Sequence, residues 1–179
     1  MLWGVCMATE LKLTCSHYNL PADLLFIRFM QEDVNWRLRK AKIKVKGLSP
    51  DHFCQIIVRL CSKARFITIL ELQGNRLTEQ ALKSLSDTGW RFIIILNLSK
   101  NQLRGNDIKH LRKMEWPFLR WLNLSLNPMG NKGVETICKC TFPRMERLLM
   151  KKTKVTGSCF KALPKADWPN LSEISFSEC

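Results

Sequence analysis

Apolar residues return along this chain at one fixed interval. Leu70, Leu96, Leu122, Leu148 and Ile174 stand 26 residues apart, and so do Leu72, Leu98, Leu124, Met150 and Phe176. Ile67, Ile93, Leu119, Met145 and Leu171 keep the same step, as do Leu77, Leu103, Met129 and Val155. A polar column runs through the pattern at Asn75, Asn101 and Asn127, continued by Thr153 and Cys179. Further along each unit come Leu82, Ile108, Val134 and Phe160, then Leu85, Leu111, Ile137 and Leu163. Trp90, Trp116, Phe142 and Trp168 close the unit, and Pro117, Pro143 and Pro169 follow the last three. This many columns in one register define an internal repeat.

Each column predicts an element. Two leucines separated by one outward residue have a period of two, so they predict a short strand. The Asn stands just after it, where the chain must turn. Its amide can both donate to and accept from loop backbone that would otherwise be buried unpaired. Pairs such as Leu82/Leu85 and Ile108/Leu111 are three apart, which is one face of a helix. Start signals for those helices stand at Thr78 and in Gly105-Asn106-Asp107. Proline disfavours helical geometry in the residue before it, so Trp-Pro ends the helical segment and the ring plugs the core. No single unit can bury both its strand face and its helix face. Stacked units share one continuous core, and the product is a solenoid.

The stretch LxxLxLxxNxL, with its unit length and helical return, resembles leucine-rich repeats, most nearly the ribonuclease-inhibitor-like subclass. The likeness runs over residues 48–179. It implies an α/β horseshoe, with a short parallel sheet lining the concave face and helices on the convex face. It also implies protein binding as the usual task. A single leucine-rich-repeat domain is expected over 1–179, with 1–47 as divergent N-terminal repeats or a cap. There Leu38, Ala41, Ile43 and Leu48 fit the pattern, with Trp36 near the aromatic column, and Leu11, Leu13 and Ser16 fit it once more. A different reading of residues 20–47 is a degenerate F-box, because LPADLL at 20–25 resembles the opening of that motif. Thr153 and Cys179 depart from Asn in the turn column; Cys is common there in the family and Thr is tolerated. The pattern stops inside a repeat at Cys179 without a polar capping segment. Leu171, Ile174 and Phe176 are then expected to form an open last layer that frays, self-associates or continues in a longer array.

Composition narrows the partner rather than the fold. Hydrophobic residues make up 46% and charged residues 25%, a globular balance that excludes wholesale disorder. Lys and Arg outnumber Asp and Glu by 29 to 15, and the resulting charge of +14 points to an anionic partner: nucleic acid, acidic lipid or an acidic protein face. MLWGVCMATELKL has neither the basic nor the apolar region of a signal peptide. No window of about 18 apolar residues exists to cross a membrane. The Cys residues are too scattered for a secreted disulfide scaffold. Two of the three sequons, at Asn97 and Asn123, fall inside predicted strands; the third is at Asn170. An intracellular, cytoplasmic protein with reduced thiols is expected.

In xLxLx the leucines face the core and the x residues face the concave side. Three ladders follow: Lys40, Ile69, Ile95, Trp121, Arg147 and Glu173; Lys12, Lys42, Glu71, Asn97, Asn123, Leu149 and Ser175; Thr14, Lys44, Gln73, Ser99, Ser125, Lys151 and Ser177. Ile69, Ile95 and Trp121 are adjacent rungs, with Leu149 diagonal to Trp121 and Leu126 just beyond. An exposed apolar row with a central aromatic marks a binding surface. Glu71, Asn97 and Asn123 form its polar middle. Basic clusters flank it: Arg37, Arg39, Lys40, Lys42, Lys44 and Lys46 at one end, and Arg144, Arg147, Lys151, Lys152 and Lys154 at the other. The expected partner is an acidic protein surface, steered by these charges. Nucleic acid is the alternative, supported by the net charge and by Lys42 and Lys44. Against it stand the neutral middle of the floor and the scarcity of stacking aromatics.

Catalytic signatures are missing. There is no Gly-rich phosphate loop, nucleophile elbow or HExxH motif. The three His are His17, His52 and His110. His110 lies beside Leu111 on a predicted convex helix and is expected at the surface. Cys138 and Cys140 lack a spaced second pair, since Cys159 alone complements them poorly, so they read as small buried hydrophobes. No enzyme activity, metal or cofactor is expected.

Overall fold

The computed structural model describes residues 10–14, 39–44, 49–63 and 65–177. LPADLL at 20–25, Trp36, Arg37, Leu38, Lys46, Leu48, His17 and Cys179 lie outside the described residues.

The elements follow the repeat. Strands β1 (Glu10–Thr14), β2 (Lys40–Lys44), β3 (Ile69–Glu71), β4 (Ile95–Asn97), β5 (Trp121–Asn123), β6 (Arg147–Leu149) and β7 (Glu173–Ser175) form one seven-stranded parallel sheet in sequence order. Between them run helices α1 (Pro50–Lys63), α2 (Glu79–Ser86) and α3 (Gly130–Ile137). In two units a 3-10 helix takes the place of the α-helix, at Asp107–Lys113 and Gly157–Lys161, the second followed by a short 3-10 turn at Leu163–Lys165. Parallel neighbours need a crossover connection, and each unit supplies one.

Register is identical from rung to rung. Leu70 pairs with Leu96, Leu96 with Leu122, Leu122 with Leu148 and Leu148 with Ile174. Hydrogen bonding continues past each three-residue strand: Leu72 N donates to Asn97 O, Leu98 N to Asn123 O and Leu124 N to Leu149 O, all at 2.8 Å. The second leucine of each LxL is therefore held in the ladder, and Leu98 and Leu124 are fully buried.

The core is a single row of layers. Helix α1 contributes Phe53, Ile56, Ile57 and Leu60, one face at helical spacing. Trp90, Trp116, Phe142 and Trp168 are buried at the ends of the units, and Trp168 Nε1 donates to Cys140 O at 3.1 Å. Two units pack closely at Gly105, where an added Cβ would stand 2.7 Å from Met129 O.

The Asn column stitches repeats together. Asn101 Nδ2 donates to Leu98 O of its own unit (2.8 Å) and to Leu72 O of the unit before (3.1 Å), while its Oδ1 accepts from Asn75 N and Leu77 N. Asn127 donates to Leu124 O and Leu98 O and accepts from Leu103 N. Thr153 is shorter and donates only to Met150 O of its own unit. A second backbone column precedes the Asn: Gly74, Lys100, Leu126 and Lys152 all have positive φ, at 73°, 57°, 59° and 53°. Only Gly adopts that region without steric cost.

The structure corrects two expectations about helix faces. Phe160 does not face the core; it is 52% exposed, and Cys159 is fully buried in its place. Ile108 holds the same column on the other long 3-10 helix and stays buried, so the shift belongs to this unit alone. The freed Phe160 ring packs edge-on against Phe176 at 5.3 Å. His110 is not at the surface either, being only 5% exposed. Its Nε2 lies 3.1 Å from Glu79 Oε1 in the preceding unit, because the 3-10 segment packs against α2.

Candidate functional site

The sheet has one face on the helical core and one face open. On β3, β4 and β5 the middle residue is buried and its neighbours are half-buried, which places Ile69, Ile95, Trp121, Glu71, Asn97 and Asn123 on the open face. Strand pairing sets Lys40, Ile69, Ile95, Trp121, Arg147 and Glu173 in one line across the sheet. Lys42, Glu71, Asn97, Asn123, Leu149 and Ser175 form the second line. Leu149 is half-buried opposite Asn123, hence diagonal to Trp121. Leu126 is 41% exposed just beyond the strand end. Lys44 pairs with Thr14 in the backbone, which extends the line to β1.

The third ladder behaves differently. Ser99 and Ser125 are buried rather than on the open face. Each follows the strand end, and each backbone N–H is taken by the side chain two residues earlier: Ser99 N donates to Asn97 Oδ1 and Ser125 N to Asn123 Oδ1. Ser125 Oγ also accepts from Lys151 N. The side chain of Lys151 is exposed. Gln73 Oε1, of the same ladder, is enclosed with no hydrogen-bond partner. The two Asn oxygens being engaged, their NH2 groups are left as donors on the floor.

Electrostatics on the floor are partly self-contained. Glu71 sits between two cations, with Lys42 Nζ at 3.0 Å and Lys40 Nζ at 3.4 Å. Partial burial pushes its carboxyl up, but the two ammonium groups outweigh that and hold it below the usual carboxylate range. Arg147 Nε lies 3.3 Å from Glu173. These acids blunt the basic clusters that the sequence places at either end.

Burial pushes the Cys138 and Cys140 thiols up to about 11 and about 12. Thiols held protonated in this way are poor nucleophiles and ligands. Among the described residues no three His, Cys, Asp or Glu side chains are grouped to hold a metal ion. Nor is any helix there long and apolar enough to cross a membrane.

A family model described as Leucine Rich repeat matches residues 117–138. That span holds β5, the Asn127 turn and α3. Together with the recurrence of the same unit along the sheet, it supports a leucine-rich repeat protein. Such repeats are typically non-enzymatic and commonly mediate protein–protein interaction. No curated protein matches the chain significantly.

Sequence reasoning missed two features. One is the pairing of Glu71 with both lysines, which follows from the two-residue offset across adjacent rungs. The other is an aromatic column at Phe66, Phe92 and Phe118, hidden because it lies in the loop ahead of each strand.

Proposed function

We propose that the chain is a non-catalytic protein-interaction module of the ribonuclease-inhibitor-like kind. In this reading its sheet curves into a horseshoe whose concave face takes an acidic protein surface, as a scaffold or substrate receptor. The observation that carries it is the row Ile69–Ile95–Trp121, contiguous in register and half-exposed. A rigid aromatic beside aliphatic side chains is the composition of an interface centre. Seven strands at about 4.8 Å make a floor roughly 30 Å long, enough for a standard interface of about 800 Å² per partner. Affinity capture with the wild-type protein and with Trp121→Ala tests the reading: a specific partner must be retained by the first and lost by the second.

The second reading is nucleic-acid binding, favoured by the charge of +14. The pairing of Lys40 and Lys42 with Glu71, and of Arg147 with Glu173, weighs against it. Phosphate contacts would show as a steep loss of affinity with salt and little sequence preference.

A further inference from the structure

Three residues ahead of each strand runs a column of another kind: Phe66, Phe92 and Phe118, then Arg144. These are loop positions, and the first two rings are 45% and 42% exposed. The rings follow one another, Phe66–Phe92 tilted by 36° with centroids 5.5 Å apart and Phe92–Phe118 stacked with centroids 6.0 Å apart. A guanidinium covers each end: Arg39 lies 5.3 Å over Phe66 and Arg144 lies 4.9 Å over Phe118. Such cation–π contacts hold the ends of the stack. The result is a straight ridge on one edge of the sheet, distinct from its open face.

The ridge has a defined chemistry. Each ring has two such neighbours, a ring or a guanidinium, and turns much of its remaining surface, edges included, to solvent. Ring edges are the positive part of the aromatic quadrupole. Arg65 and Arg91 are exposed beside Phe66 and Phe92, and the four residues line a recess of about 430 Å³ with Trp90 at its back. Arg91 reaches Glu115 only at 3.8 Å, with both side chains mostly in solvent, so it is free to re-pair at little cost. A second, more polar recess of about 410 Å³ lies at the Phe118 end, lined by Arg144 and by Arg120 with its ion-pair partner Glu146. Positive edges, guanidinium donors and the apolar recess beside Phe66 and Phe92 together fit an anionic partner that also carries apolar side chains.

The geometry selects among such partners. Nucleobases need free π faces to stack, and here each ring already has two neighbours, a ring or a guanidinium. A bilayer is a plane and cannot fill side-chain-sized recesses. From Arg39 to Arg144 the stack is roughly 20 Å long, the span of about six extended residues at ~3.3 Å each. We propose that this edge docks an extended acidic segment of a partner protein. Its carboxylates engage Arg65, Arg91 and Arg144, and an apolar side chain fills the recess beside Phe66 and Phe92. This stands independently of the reading of the open face.

The probe is a fluorescein-labelled peptide, Glu-Glu-Leu-Glu-Glu-Leu-Glu-Glu, titrated with the protein and followed by anisotropy at low and moderate salt. Its counterpart with Gln for Glu is the neutral control. Binding of the acidic peptide is expected to weaken about tenfold for the Gln peptide and for Arg65→Gln/Arg91→Gln. Phe92→Ser should weaken it by a similar factor while circular dichroism stays unchanged. The arginine variants leave the rings and the core in place, so they decide the matter even if Phe92→Ser fails to fold. The proposal is overturned if no binding is measurable, if the Gln peptide binds equally, or if the arginine variants bind as wild type. It is equally overturned if Lys42→Gln alone abolishes binding, which would put the peptide on the open face. Tighter binding of an oligothymidylate or of phosphatidylserine vesicles, lost in the same variants, would make the edge a nucleic-acid or membrane surface instead.

Discussion

At the scale of single residues, two columns just after each strand carry opposite messages. The Asn column relieves unpaired backbone. Replacing Asn127 with Ala would leave Leu124 O and Leu103 N without their partner inside the core, and Leu98 O with Asn101 alone. Buried unpaired groups cost about 1–3 kcal/mol each, so Asn127→Ala is expected to lose roughly 3 kcal/mol in denaturant unfolding. The column before it stores strain. Lys152 sits at φ 53° where the equivalent residue of an earlier unit is Gly74. Left-handed geometry costs an L-residue about 1–2 kcal/mol, and Gly gives back about 0.5–1 kcal/mol of that in entropy. Lys152→Gly should therefore raise stability by roughly 0.5–1 kcal/mol, read as a higher unfolding midpoint, and an unchanged or lower midpoint would refute the strain. The Asn column was legible in the sequence because one residue type recurs. The left-handed column was not, because Lys100, Leu126 and Lys152 carry no residue signature for it.

Elements were legible as far as their period was. The strands, their parallel order and their register follow from the recurrence itself, since identical units stacked in line pair identical positions. Helix type did not follow. Leu82/Leu85 and Ile108/Leu111 have the same i, i+3 spacing, yet one pair is on an α-helix and the other on a 3-10 helix. Spacing by three satisfies both geometries, and only the residues in between reveal the difference; hence the misplaced His110. The consequence at His110 is a tie between units. Glu79 accepts from Lys109 Nζ at 2.6 Å and faces His110 Nε2 at 3.1 Å. The Lys109 ammonium first, and His110 second, hold the Glu79 carboxyl down at about 2. A carboxyl depressed in the folded state stabilises above its unfolded value, and that contribution disappears as pH falls through the folded one. Between pH 5 and pH 2, at the scale those values set, the melting temperature of wild type should fall more than that of Glu79→Gln. Parallel profiles would show that the tie contributes nothing. Leu124 tests the core itself: Leu124→Ala should cost about 2–5 kcal/mol, and a loss under about 0.5 kcal/mol would remove the repeat register.

At the scale of the whole molecule, the charge of +14 and the open face act on different steps of binding. Long-range charge sets how fast a partner arrives, and desolvated contacts set how long it stays. The position of the apolar row was legible because face alternation and repeat register are both sequence properties. Its electrostatic setting was not, because Glu71 and Glu173 answer the basic residues from neighbouring rungs. Trp121 is the ring best placed to hold a partner: half-exposed, in line with Ile95, and diagonal to Leu149. A ring with two χ angles buries much area at little entropic cost, and its indole N–H fixes orientation. Trp121→Ala is expected to weaken the cognate partner by about 2 kcal/mol or more, chiefly through faster dissociation, with folding nearly intact. Lys151→Ala should instead slow association and flatten its salt dependence. Lys42→Ala should do so more strongly, since removing that ammonium also leaves the Glu71 carboxylate balanced by Lys40 alone and better able to repel an acidic partner. Stopped-flow association and surface-plasmon dissociation rates separate the two effects. A Trp121→Ala protein that binds and releases as wild type would move the site off the open face.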